Sequence, residues 1–155
     1  MSTSQDSKTS PEASNVFISM YADPIHSGHI EYIHLSKQLA EERGGQLIVC
    51  INNDAQAVLK KGRPFMSATE RLAIVQALRD VDVAFVSVDT DRSVCASLRY
   101  AHQTWGVGAV GQGGDRHSGE VPEANVCREL DIEMIDGLGD KIQSSSALTG
   151  LKALT

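Results

Sequence analysis

Val16-Phe17-Ile18-Ser19-Met20-Tyr21-Ala22-Asp23-Pro24-Ile25-His26-Ser27-Gly28-His29 runs from an apolar, β-rich stretch into a turn carrying a proline, a glycine and two imidazoles. An amphipathic segment follows, from about Gly28 to Glu42, and ends at Gly44-Gly45, as a helix does where glycine accepts a left-handed backbone. A strand that empties through such a turn into a helix leaves free backbone N–H groups at the helix N-terminus, where the dipole favours anions. His26 and His29 lie three residues apart at that start and can project the same way. The segment reads as a polyphosphate cradle, with Tyr21, Ala22, Asp23 and Gly28 as part of it. Metal binding is the rival use of an H-x-x-H pair, but no third His or carboxylate has suitable spacing nearby.

Working outward, strand-like and helix-like segments alternate. Leu47–Ile51 reads as a strand and Asn52–Met66 as a polar loop. A helix begins at Ser67, an N-cap with Glu70 three residues on, and carries Leu72, Val75 and Leu78 on one face. Val83–Val88 reads as a strand, Asp91–Gln103 as a helix, and Val107–Val110 as a short strand leading into Gly111-Gln112-Gly113-Gly114-Asp115. Pro122–Leu130 reads as a helix, Ile132–Ile135 as a strand and Ser144–Ala153 as a closing helix. This order implies right-handed βαβ units and a parallel sheet flanked by helices, an α/β fold of three layers. Ligands in such folds bind beyond the carboxyl ends of the strands, at the switch in strand order. The loops expected at that edge are Tyr21–His29, Asn52–Met66, Gly111–Asp115 and Gly137–Ser145.

Composition sets the surrounding limits. The chain has 155 residues, 41% hydrophobic and 22% charged, which suits one domain with its own core. Met1–Asn15 is almost wholly polar and reads as a disordered tail, leaving 16–155 as the domain. A net charge of −6 argues against a nucleic-acid surface, which needs clustered excess Lys and Arg. Cys50, Cys95 and Cys127 are scattered, with no C-x-x-C pair, and suit a reducing cytoplasm. No run approaches the ~18 apolar residues of a membrane span.

Asp23-Pro24-Ile25-His26-Ser27-Gly28-His29 resembles the signature of the cytidylyltransferase-like nucleotidyltransferase superfamily, Gly-x-Phe-Asp-x-x-His-x-Gly-His. Lys60-Lys61-Gly62-Arg63-Pro64-Phe65 with Glu70-Arg71 resembles the basic loop and helix start of its sugar-phosphate and glycerol-phosphate members. Ser144-Ser145-Ser146-Ala147-Leu148 resembles the family's C-terminal Ser/Thr motif. Gly113-Gly114-Asp115 resembles a stretch of the heptose-phosphate adenylyltransferases. The resemblance covers about Val16 to Leu148 and implies a Rossmann-like fold, transfer of a nucleoside monophosphate from an NTP to a phosphate-bearing acceptor, and release of pyrophosphate. It also implies Mg²⁺ carried with the NTP, and a homodimer.

Such a reaction brings two anions together, and its transition state spreads negative charge over phosphoryl oxygens, so positioning and electrostatics do most of the catalysis. No nucleophilic side chain is required. By resemblance, His26 and His29 donate to the α- and β-phosphates, Lys60 or Lys61 neutralises the triphosphate, and Ser144, Ser145 and Ser146 hold the β- and γ-phosphates. Arg63 and Arg71 either bind phosphate or pair with acidic neighbours. Asp115 caps its turn or contacts acceptor or ribose. The chain departs from the pattern at Met20 (usually glycine), Ala22 (usually aromatic), Gln112 (lysine before Gly-Gly-Asp in heptose-type enzymes), Gly139 (arginine in many cytidylyltransferases) and Thr149 (usually basic). The expected substrates are an NTP, with CTP favoured over ATP, and a small phosphorylated or phosphonylated acceptor. Adenylyl transfer to a sugar 1-phosphate and a catalytically silent nucleotide sensor are the alternatives.

Overall fold

The computed structural model describes residues 14–113 and 121–139. Five parallel strands form one sheet: β1 (Val16–Met20), β2 (Leu47–Ile51), β3 (Val83–Val86), β4 (Ala109–Gly111) and β5 (Glu133–Ile135), in the order β3-β2-β1-β4-β5. β1 pairs with β2 along its whole length, from Val16 opposite Leu47 to Met20 opposite Ile51. On its other side it pairs with β4 only at Val16–Ala109 and Phe17–Val110. The order reverses between β1 and β4, and beyond that pairing the two strands part. β2 is apolar and buried at every position, as a central parallel strand covered on both faces must be.

Helices cover both faces. α1 (Ser27–Glu42) and α3 (Ala68–Gln76) lie on one side, where Ile33, Ala40 and Val75 pack with Ile18, Val49 and Ile51. α4 (Cys95–Thr104) and α5 (Glu123–Leu130) lie on the other, where Leu98, Ala101, Val126 and Cys127 pack with Phe17, Ile48 and Val110. The three-layer Rossmann-like reading agrees with this arrangement, as does the helix face of Leu72 and Val75; Leu78 packs against the same core from just past the end of α3. Among the described residues no helix is long and apolar enough to cross a membrane.

Three readings are corrected. The segment Asn52–Met66 is no simple loop, because α2 (Asp54–Lys61) occupies its centre. Asn53 accepts from Gln56 N at 2.8 Å while Gln56 Oε1 accepts from Asn53 N at 3.1 Å, a reciprocal cap. Gly62, at φ +88°, ends the helix in the left-handed region. Second, the strands and α4 are shorter than the residue pattern suggests: β3 stops at Val86 and α4 begins at Cys95, because Asp91 and Ser93 hydrogen-bond each other locally instead of extending the helix. Third, order begins before Val16. Ser14 and Asn15 are buried. Residues 1–13 and the closing helix expected at Ser144–Ala153 lie outside the described residues.

Asn15 ties three segments to the N-terminal end of β1. Its Nδ2 donates to Trp105 O and Gly106 O, both at 3.0 Å, and its Oδ1 accepts from Gln46 N at 2.9 Å. Its backbone carbonyl accepts from Gly108 N at 2.9 Å. Asn15→Ala leaves buried backbone groups of the α4–β4 turn and of the approach to β2 without partners. The expected cost is about 2–4 kcal/mol of unfolding free energy, read from urea denaturation; a change below about 0.5 kcal/mol would show that water replaces these bonds freely.

Candidate active site

The turn after β1 sits where β1 and β4 part. Ala22 turns the chain in a left-handed conformation (φ 52°) and the Asp23–Pro24 peptide is cis. α1 then opens with a cap made by two histidines. His26 is the N-cap; its Nδ1 accepts from Gly28 N at 3.1 Å. His29, three residues on, turns its own Nδ1 back to accept from His26 N at 3.1 Å. This is a capping box built from imidazoles in place of Ser and Glu.

The cap dictates tautomers. A backbone N–H can only donate, so both Nδ1 atoms are bare lone pairs and each neutral ring must carry its proton on Nε2. The rings are tilted against each other with centroids 4.0 Å apart. Burial first, then the charges of His26, Lys60 and Lys61, push the His29 pKa down to about 3. Burial also lowers that of His26. At neutral pH both side chains are therefore uncharged Nε2–H donors. The loop pairs these two donors with the positive end of a sixteen-residue helix.

Beneath the turn lies a buried ionic cluster. The Asp23 side chain is fully buried. Its Oδ1 accepts from Met66 N at 2.6 Å, and its Oδ2 from Phe65 N at 2.8 Å and Lys61 Nζ at 3.4 Å. Lys61 Nζ also donates to Asp23 O at 2.8 Å. Arg71, fully buried on α3, spends its donors on Met66 O, Tyr21 O, Asn52 O and Asp54 Oδ1, all within 2.9 Å. Asp54 Oδ1 further accepts from Ala68 N at 2.8 Å. Two acids and two bases thus bind the turn after β1, the start of α2 and the start of α3 into one unit.

The two lysines consequently differ. Lys61 is consumed inside the cluster, whereas Lys60 is half-buried and holds its ammonium 4.2 Å from the centre of the Tyr21 ring. Arg71 lies where phosphate cannot reach its guanidinium; its acidic neighbours are Asp54 and Asp23. Arg63 is exposed on the turn after Gly62. Gly28 contributes its N–H to the cap, and Gly113 follows β4 by two residues, where an added Cβ would meet none of the described residues within 4 Å. Asp115, Ser144, Ser145 and Ser146 lie outside the described residues. Asp54 was missed in the sequence reading; its signal was the Asn53-x-x-Gln56 pair and Gly62, which mark a helix with an acid in its first turn. Among the described residues no group of three His, Cys, Asp or Glu is placed to hold a metal.

Residues 21–130 match the model of the cytidylyltransferase-like family. Among curated proteins, the bifunctional protein HldE of Streptomyces coelicolor is 32% identical over 110 residues, 69% of this chain and 21% of that protein. HldE of Nitrosococcus oceani is 42% identical over 62 residues, 39% of this chain and 12% of that protein. The chain thus spans about a fifth or less of the length of these relatives. The crystal structure of a lipopolysaccharide core biosynthesis protein from Thermoplasma volcanium superposes with a TM-score of 0.61 at 21% identity, over 81% of this chain and 97% of that one. It has the same fold.

Two tests address this geometry. An unfolded imidazole titrates at about 6.5 and folded His29 at about 3, so the unfolded state takes up its proton first as pH falls. Stability is therefore lost from about pH 6.5 downward and the loss grows until about pH 3. His29→Asn keeps an acceptor at the Nδ1 position and removes the titration, so its Tm should fall less between pH 7 and pH 4 than that of the wild type; equal falls would refute the neutral buried His29. Arg71→Met leaves Asp23 with less positive charge and orphans three carbonyls, at an expected cost of about 3–5 kcal/mol in urea denaturation. Arg71→Lys should recover little of it, since one ammonium cannot span four acceptors.

Proposed function

The chain belongs to the cytidylyltransferase-like family and is a nucleotidyltransferase, and from that premise we propose that it transfers AMP from ATP to a sugar 1-phosphate. An oxygen of the acceptor phosphate attacks the α-phosphorus, the bond from that phosphorus to the bridging oxygen breaks, and pyrophosphate leaves with the electron pair. The observation that carries the reading is the histidine cap: two neutral imidazoles with Nε2–H donors, beside a helix N-terminus and two lysines. Neutral donors suit this task. They hydrogen-bond phosphoryl oxygens without surrendering a proton, and their contribution grows as charge accumulates on those oxygens.

Roles follow from placement. His26 and His29 would hold the α- and β-phosphates, Lys60 would neutralise the triphosphate, and Lys61 would act indirectly by fixing the turn. Arg63, exposed after α2, is the candidate for the acceptor phosphate. The turn after β1 offers N–H groups, has the α2 lysines beside it, and spends its one acid, Asp23, internally, which fits Mg²⁺ that arrives on the nucleotide's phosphates and needs few protein ligands. The resemblance of Gly113-Gly114-Asp115 to the heptose-phosphate adenylyltransferases, with the HldE relatives beside it, favours adenylyl over cytidylyl transfer, so ATP takes the place of CTP in the proposal.

Pyrophosphate release should be measured with Mg²⁺, ATP or CTP, and a panel of sugar 1-phosphates and phosphorylated alcohols. ATP with a sugar 1-phosphate is the expected productive pair. Turnover with CTP alone would overturn the base assignment, and nucleotide binding without release from any pair would leave a sensor. His29→Ala should lower kcat by about 10²-fold, the usual loss for one such donor. Lys60→Ala should lower kcat/KM by about tenfold or more while leaving unfolding within about 0.5 kcal/mol of the wild type; Lys61→Ala should instead destabilise.

A further inference from the structure

Gln112 is the first residue past β4 and lies two positions beyond Val110, the last β4 residue that pairs with β1. Its main chain is pinned from the β5 side: its N–H donates to Ile135 O at 2.7 Å and its carbonyl accepts from Leu138 N at 2.9 Å. The residue below it is equally fixed. Gly111 O accepts from Tyr32 OH at 2.7 Å, and a Cβ at Gly111 would meet Leu138 Cδ1 at 2.6 Å. Gln112 therefore does not owe its position to a loose loop. Its side chain is only 6% exposed, and among the described residues its Oε1 is buried without a hydrogen-bond partner.

A buried acceptor left unmade is costly, and native structures keep few of them unless a ligand or a function uses them. The buried polar side chains of the neighbouring loops show the contrast: the Gln56 amide, also buried, bonds Asn52, Ser87, Asp91 O and Ser93 O. We infer that the Gln112 amide oxygen accepts a hydrogen bond from a neutral N–H or O–H donor on a bound reactant. Phosphate groups bring acceptor oxygens and no donor at neutral pH, so the partner is the non-phosphate part of a substrate. The inference rests on the proposed transferase reaction. Two groups in that reaction have the right chemistry: the exocyclic amino group of the nucleobase and a hydroxyl of the sugar. Gln112 is then a specificity residue, and its neutrality is the point. A cation at this position would address a phosphate, whereas an amide oxygen addresses the group that distinguishes one base or one sugar from another.

The test compares the full chain with Gln112→Leu, which keeps bulk and removes the acceptor. Without ligand, Gln112→Leu should melt at or above the wild-type temperature, since it replaces an unsatisfied buried oxygen by an apolar group; a clear loss of stability would show that the amide has a structural partner and overturn the inference. ATP and inosine triphosphate, which lacks the exocyclic amine, are then titrated calorimetrically, and KM for the productive sugar 1-phosphate is measured by pyrophosphate release. A loss of about tenfold in ATP affinity with inosine triphosphate unaffected assigns the oxygen to the base. A rise of about tenfold in acceptor KM with ATP affinity unchanged assigns it to the sugar. Wild-type turnover matched by Gln112→Leu in all three readouts refutes the inference alone. A wild-type protein that neither binds ATP nor releases pyrophosphate refutes the parent reaction and the inference with it.

Discussion

The site is organised around one buried carboxylate. Asp23 sits at the turn after β1 with both oxygens out of solvent, and it accepts from two consecutive backbone N–H groups, Phe65 and Met66, as well as from Lys61. A lone buried carboxylate is prohibitively costly; here Lys61 and Arg71 balance it, and Asp54 balances the second cation. Three loops thereby become one object. The turn carrying the histidines cannot shift without dragging the turn after α2, because the same carboxylate holds both.

On that fixed base the histidines do something that ordinary cap residues cannot. Ser and Glu would satisfy the same two N–H groups, but the carboxylate has no donor to offer and the serine hydroxyl offers one only at the cap itself. An imidazole that caps with Nδ1 must present a hydrogen at Nε2, so the cap bond and an outward donor are two ends of one ring. The suppressed pKa of His29 follows from the same packing, with burial as the largest cause and the nearby lysines adding to it. The positive charge beside the two rings comes from Lys60 and the helix dipole. No proton has to move for the site to be ready.

The fold was legible because its signals are local and redundant. Continuous apolar runs such as Leu47–Ile51 specify central parallel strands, and glycines at 44 and 45 close α1. α2 was hidden because only four of its eight residues are apolar and its cap uses Asn53 and Gln56 rather than Ser and Glu. The tail boundary was hidden for a related reason: Asn15 looks like loop composition, and its burial depends on carbonyls about ninety residues away. In the site, residue types could be read but not their assignments. Lys60 and Lys61 are adjacent in sequence, and helical geometry sends one inward to Asp23 and leaves the other over Tyr21. Arg71 looks like a phosphate ligand in one dimension and is an internal strut in three.

That last contrast bears on why an ionic strut is used at all. Buried ion pairs add little net stability over apolar packing of equal volume, because desolvation consumes most of the Coulombic gain. Stability alone therefore gives no reason for Asp23, Lys61 and Arg71. Geometry does. Apolar side chains would tolerate a range of packings, whereas the donors of Arg71 have four oxygen partners in fixed directions and Asp23 meets two N–H groups at set distances. The cluster is satisfied in one arrangement and penalised in every other. Catalysis of phosphoryl transfer depends on holding donors within fractions of an ångström of where charge will develop; under the proposed roles of His26 and His29, the ion cluster would supply that restriction at the turn from which both project.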